Sequence, residues 1–178
     1  MPVSALPSRT GVGELGAYAY EFVDALKENG VKIWQILPLN PVGYGNSPYQ
    51  PYSSCAGDEL YISLDLLYEG GLLKEKAPSF RENAKTVDYD AVRAFKEPYL
   101  KEAFANFQET EEYREFTRQT WVYEYAVFRA LKKANGNACW NEWKAEDKAW
   151  PEVPAPLAKE QEDEAAYQMF LQYGFFTQ

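Results

Sequence analysis

The sequence predicts an α/β chain that is predominantly helical as it stands. Three observations predict it. One nearly unbroken apolar run, residues 31–37, reads as a strand covered on both faces. Helical periodicity dominates from Asp90 to the end. The chain offers no second run of that kind to sit beside the first, and a fully buried strand needs sheet neighbours. The proportions therefore suggest part of a larger α/β fold.

Residues 1–12 read as extended, with two early prolines. Leu15, Tyr18, Ala19, Phe22, Val23 and Leu26 follow the spacing of one buried helix face, and Gly30 stops that helix. The apolar run follows and ends at Pro38. Residues 40–57 form a loop rich in Gly, Pro, Asn, Ser and Tyr. Ser63 predicts an N-cap for a short helix over 64–69, stopped by Gly70 and Gly71. Residues 72–88 read as irregular. Asp90 predicts the cap of a helix reaching about Phe107, with Pro98 as a kink or break. Thr110 predicts another cap. Trp121, Tyr125 and Phe128 mark the buried face of a longer helix that ends near Gly136. Trp140 and Trp143, three apart, are expected in a helical core with Trp150 nearby. A Pro-rich break at 151–156 precedes a last helix from about Leu157, burying Ala165, Ala166, Met169, Phe170 and Tyr173.

Composition narrows the function. The 178 residues are 46% hydrophobic, enough for a core, and carry a net charge of -9. That charge argues against nucleic acid and against an anionic membrane surface. No apolar run reaches membrane-spanning length, and the first residues lack a signal-peptide core. With two cysteines, Cys55 and Cys139, and no CxxC, the chain points to the cytoplasm. The absence of His removes His-dependent nucleophilic sites, and neither a metal nor a cofactor is expected. The paired acids Asp58-Glu59 and Glu111-Glu112 read as solvated surface.

The loop at 40–57 is the candidate site, because a strand that delivers an aromatic and polar loop is a common way to build one. Tyr49 offers a phenol face suited to the apolar face of a sugar ring. Ser47 is a hydroxyl partner or a turn residue before Pro48. Asn46 suits a left-handed position beside Gly45, and Gly43 and Gly45 supply backbone freedom. Trp34 belongs to the core; Gln35 stays unassigned.

Three segments carry a resemblance to a known family: Leu6-Pro-Ser-Arg-Thr-Gly-Val-Gly13, Trp34-Gln-Ile-Leu-Pro-Leu39 and Gly43-Tyr-Gly-Asn-Ser-Pro-Tyr-Gln50. Together they resemble the 4-α-glucanotransferases, also called amylomaltases or disproportionating enzymes. Later pieces agree in order, including Lys96-Glu-Pro-Tyr-Leu100 and the final Phe170-to-Gln178 segment. The resemblance implies an incomplete N-terminal part of a (β/α)8 TIM barrel with a mostly helical insertion. Residues 1–71 would be the first strand and helix of the barrel with its glucan-binding loop, and 72–178 the insertion. It also implies retaining transfer between maltooligosaccharides, with α-1,4-glucan as partner. That chemistry uses two carboxyl groups about 5–5.5 Å apart. None of the 27 acidic residues matches those catalytic positions, so the chain alone is expected to be inactive. By resemblance Tyr49 packs on the sugar beside the scissile bond, and Tyr44 contributes a second contact away from the cleft. Asn46 stands where many relatives have Asp. A clipped start is also expected, with Met1 an internal residue. A non-catalytic maltooligosaccharide-binding protein is the alternative reading, and a helical interaction protein a third.

Overall fold

The computed structural model describes residues 1–82, 84–150 and 156–178, and for Tyr44 the backbone alone. It holds seven α-helices among the described residues: α1 (Ala17–Glu28), α2 (Leu64–Glu69), α3 (Tyr89–Asn106), α4 (Glu111–Thr117), α5 (Thr120–Ala134), α6 (Ala145–Lys148) and α7 (Lys159–Thr177). Short 3-10 turns lie at Val3–Ala5, Tyr44–Asn46, Glu59–Tyr61 and Trp140–Glu142. The chain divides into two compact units, residues 1–108 with 174–178, and residues 109–173. Helix α3 contacts both α2 and the Glu59–Tyr61 turn, which keeps 72–108 with the first unit.

The expected strand over 31–37 does not form. Among the described residues the only β-pairing is an isolated antiparallel bridge between Val42 and Pro51. The physical reason is the one the sequence already contained: a strand exists only against a partner. Without one, Ile33 is 83% exposed, and Val31, Ile36 and Leu37 are also exposed. Residues 1–12 are not wholly extended either, since Val3–Ala5 form a turn.

Helix starts follow side-chain chemistry. The Ser63 hydroxyl accepts from Leu66 N, and the Thr110 hydroxyl from Tyr113 N, as expected of both caps. For α3 the cap is Asp88, which accepts from Ala91 N, and Asp90 falls in the first turn. Helix α3 runs through Pro98 unbroken. Helix α1 ends as predicted, with Gly30 at φ +74 and Val31 N donating to Leu26 O. Its buried face is narrower than the periodicity implied: Ala19 is buried, whereas Tyr18 and Val23 are exposed.

In the first unit Val3, Leu6 and Ala19 form one cluster, against which Trp34 packs. Trp34 meets Phe22 edge-on at 4.9 Å, and its indole N–H donates to Met1 O. A second cluster joins Val12, Leu60 and Val92. In the second unit α5 buries Ala126, Val127, Ala130 and Leu131 with Trp143 and Ala165. The expected tryptophan pair splits. Trp143 is buried and donates to Ala138 O, while Trp140 is 56% exposed; the turn covers only Trp140–Glu142, and Trp143 follows it in extended backbone at ψ 166. Helix α7 buries Ala165, Tyr167, Phe170 and Leu171 as well as Gln168 and Gln172. Residues 151–155 of the Pro-rich break lie outside the described residues.

Candidate functional site

The tyrosine-rich loop is a small closed structure. Tyr52 N donates to Pro41 O at 2.8 Å and Gly43 N to Gln50 O at 3.3 Å, on either side of the Val42–Pro51 bridge. These bonds make a two-rung stem. At its tip, Asn46 N donates to Gly43 O and Gln50 N to Ser47 O. Gly45 and Asn46 take φ values of +76 and +53, the left-handed pair expected of them. Gly43 serves differently from the expectation. Its φ is -91, but an added Cβ would stand 3.2 Å from the Tyr52 ring, so it permits a close approach.

The stem presents Tyr49 outward with 73% of its surface exposed. Ser47 is half-buried, and its hydroxyl accepts from Tyr49 N at 3.4 Å. Ser47 is thereby a turn residue that also orders the tyrosine backbone. The Tyr44 side chain lies outside the described residues. Below the stem, Asn40 Nδ2 donates to Ala56 O at 2.8 Å, and Ser53 Oγ accepts from Cys55 N and Ala56 N at 3.1 Å each.

The loop stands on two buried charge clusters that the sequence reading missed. Asp58 was expected on a solvated face; it is 1% exposed. Its oxygens accept from Arg93 at 2.8 and 2.7 Å and from Leu60 N at 2.9 Å. Arg93 Nη1 also reaches Glu59 at 2.9 Å. One turn further along α3, Lys96 is 1% exposed and all three of its donors are used. They reach Glu14 at 2.7 Å and the carbonyls of Leu60 and Ile62 at 2.8 Å each. Burial pushes the Lys96 ammonium pKa down, and the Glu14 charge opposes that shift. Glu14 also accepts from Thr10 and Ser63 hydroxyls at 2.8 and 3.0 Å. The Gln178 amide closes the cluster, accepting from Ser63 N and donating to Ser63 O. Beside Asp58, burial and that carboxylate's charge push the Tyr61 phenol up to about 12. Arg93 and Lys96, three apart in a helix, were the one available signal: two cations on a single face opposite adjacent acids.

This arrangement positions the loop through internal ion pairs and hydrogen bonds. Buried Asp58 and half-buried Glu14 are each held as the counter-ion of a cation. Among the described residues no cluster of three or more His, Cys, Asp or Glu is arranged to hold a metal. Among the described residues no helix is long and apolar enough to cross a membrane, and both cysteines are free and exposed.

Comparison with known proteins follows the same line. The family model described as 4-alpha-glucanotransferase matches residues 1–178. The chain is 40% identical over 189 residues to the 4-alpha-glucanotransferase of a Synechocystis species, covering 98% of this chain and 37% of that protein. To the Thermus thermophilus 4-alpha-glucanotransferase it is 41% identical, covering 98% of this chain and 36% of the relative. The solved structure of amylomaltase from Streptococcus agalactiae in complex with acarbose superimposes with a TM-score of 0.81 at 30% identity. That match covers 99% of this chain and 38% of the other. The chain thus spans little more than a third of the length of these relatives.

Proposed function

Because the chain belongs to the 4-alpha-glucanotransferase family, we propose that its loop at 40–57 is one wall of a glucan-binding cleft. The observation that carries this reading is Tyr49, 73% exposed at the tip of a hydrogen-bonded stem. A phenol ring presented this way covers the apolar face of a glucose unit while its hydroxyl reaches a polar partner. The Ser47 hydroxyl accepts from Tyr49 N and keeps its own proton to donate to a sugar hydroxyl. Tyr44, on the same turn, supplies a second contact outside the cleft. The amylomaltase of known structure was solved with acarbose bound, which supports a saccharide as the ligand class.

In the whole protein the reaction is retaining transfer of α-1,4-glucan segments between maltooligosaccharides in the cytoplasm. Residues 1–71 belong to a (β/α)8 barrel and 72–178 to a mostly helical insertion. The exposed apolar run at 31–37 becomes a barrel strand once it has neighbours. Asp58 and Glu14 are committed to Arg93 and Lys96, so they are not the two carboxyl groups of the double displacement.

Calorimetric titration with maltoheptaose tests the reading. The wild-type chain binds it at millimolar affinity or better, and Tyr49→Ala weakens binding by about ten-fold, the value of one aromatic contact. Equal affinities would remove Tyr49 from the site. Incubation of the chain with maltotriose yields no longer or shorter products; their appearance above a buffer blank would place catalytic groups within it.

A further inference from the structure

A pocket of about 90 Å³ lies against the loop, lined by Val42, Asn46 and Pro48 together with Asp58, Tyr61 and Tyr89. Beside a pocket fewer dispersion contacts seat a loop, so its position leans on its hydrogen-bond tethers. Asp58 provides two of them. Its backbone N–H donates to Leu39 O at 2.8 Å, and its carboxylate accepts from Val42 N at 3.5 Å.

That carboxylate is 1% exposed and is held in direction by the two-pronged bond to Arg93. Lys96, on the same face of α3, holds the carbonyls of Leu60 and Ile62 at the other end of the turn. One helix therefore grips residues 58–62 with two cations, and that turn holds the loop.

We propose that Arg93 is a positioning residue: acting through Asp58, it sets the place of the loop that carries Tyr49. Its consequence for sugar binding rests on the function proposed above. Without the guanidinium, Asp58 is a buried carboxylate with no counter-ion; it swings toward water, and its tethers shift. If Asp58 becomes uncharged as well, its own driving force to move disappears, and Glu59 is the carboxylate still left without its cation.

Hydrogen exchange on the full chain tests this, with Arg93→Met, Asp58→Asn and the double variant. Arg93→Met speeds exchange of peptides covering 40–57 by about ten-fold, while peptides of α5 stay within about two-fold of wild type. The double variant returns 40–57 toward the wild-type rate. A rise spread evenly over the chain, or a double variant that exchanges like Arg93→Met, overturns the proposal. Maltoheptaose titration runs alongside, with Tyr49→Ala as the reference. If Arg93→Met frees the loop and Tyr49→Ala leaves affinity unchanged, the clamp stands and the sugar contact fails. If Tyr49→Ala weakens binding and Arg93→Met alters neither exchange nor affinity, the sugar contact stands and the clamp fails. A freed loop that binds as tightly as wild type, with Tyr49→Ala weakened, also overturns the positioning role.

Discussion

Lys96 and Tyr61 show what single residues carry here. Lys96 is a buried ammonium whose three donors meet one carboxylate and two carbonyls. Truncating it to Met leaves Glu14 half of an ion pair and orphans the two carbonyls. The expected loss is about 3–5 kcal/mol, read as a lower urea midpoint. Glu14→Gln combined with Lys96→Met loses less than Lys96→Met alone. Tyr61 gives a pH dependence. Its phenol is held up to about 12 in the folded chain against 10.0 in a free tyrosine. The folded state thus keeps a proton that the unfolded state releases. The associated stability is intact below pH 10.0 and is lost as pH rises toward about 12. Urea midpoints across that range fall less steeply for Tyr61→Phe than for wild type; identical slopes would contradict the assignment. Neither Lys96 as a buried group nor Tyr61 as a half-buried one was legible in the sequence. Lysines and adjacent acids are solvated in most settings, and Asp58 lies 35 positions from Arg93, a distance no periodicity reveals.

Elements were read more faithfully where local chemistry decides them. Ser63 and Thr110 cap as expected because a cap needs only its own hydroxyl and an amide three residues on. Gly30 ends α1 for the same local reason. The strand over 31–37 failed because its partner is not local. The loop was legible in kind, with Asn46 beside Gly45 as its left-handed corner, but its stem at Val42 and Pro51 had no sequence signal. The loop's far end adds a prediction at this scale. A Cβ on Gly57 would lie 2.1 Å from the Phe175 ring, closer than any contact can be. Gly57→Ala therefore displaces either the ring or the loop end, at a cost of about 1–3 kcal/mol. A thermal melt checks it, and an unchanged midpoint would show that the ring yields freely.

At the scale of the whole molecule, the chain is two compact units, each with its own buried apolar residues. The family was legible from the octapeptide Gly43-to-Gln50 and its flanking segments, and the match over residues 1–178 agrees. The fold was legible only in part. The sequence predicted a mostly helical chain, which the structure holds, and a barrel strand, which takes no such form without neighbours. The central claim is that the loop at 40–57 holds a saccharide through Tyr49. Backbone amide NMR shifts of the chain during titration with maltoheptaose test it most directly. The account predicts saturable shifts concentrated at residues 45–50, abolished in Tyr49→Ala while the rest of the spectrum stays dispersed. Saturable shifts centred elsewhere, or unchanged by that substitution, would contradict it.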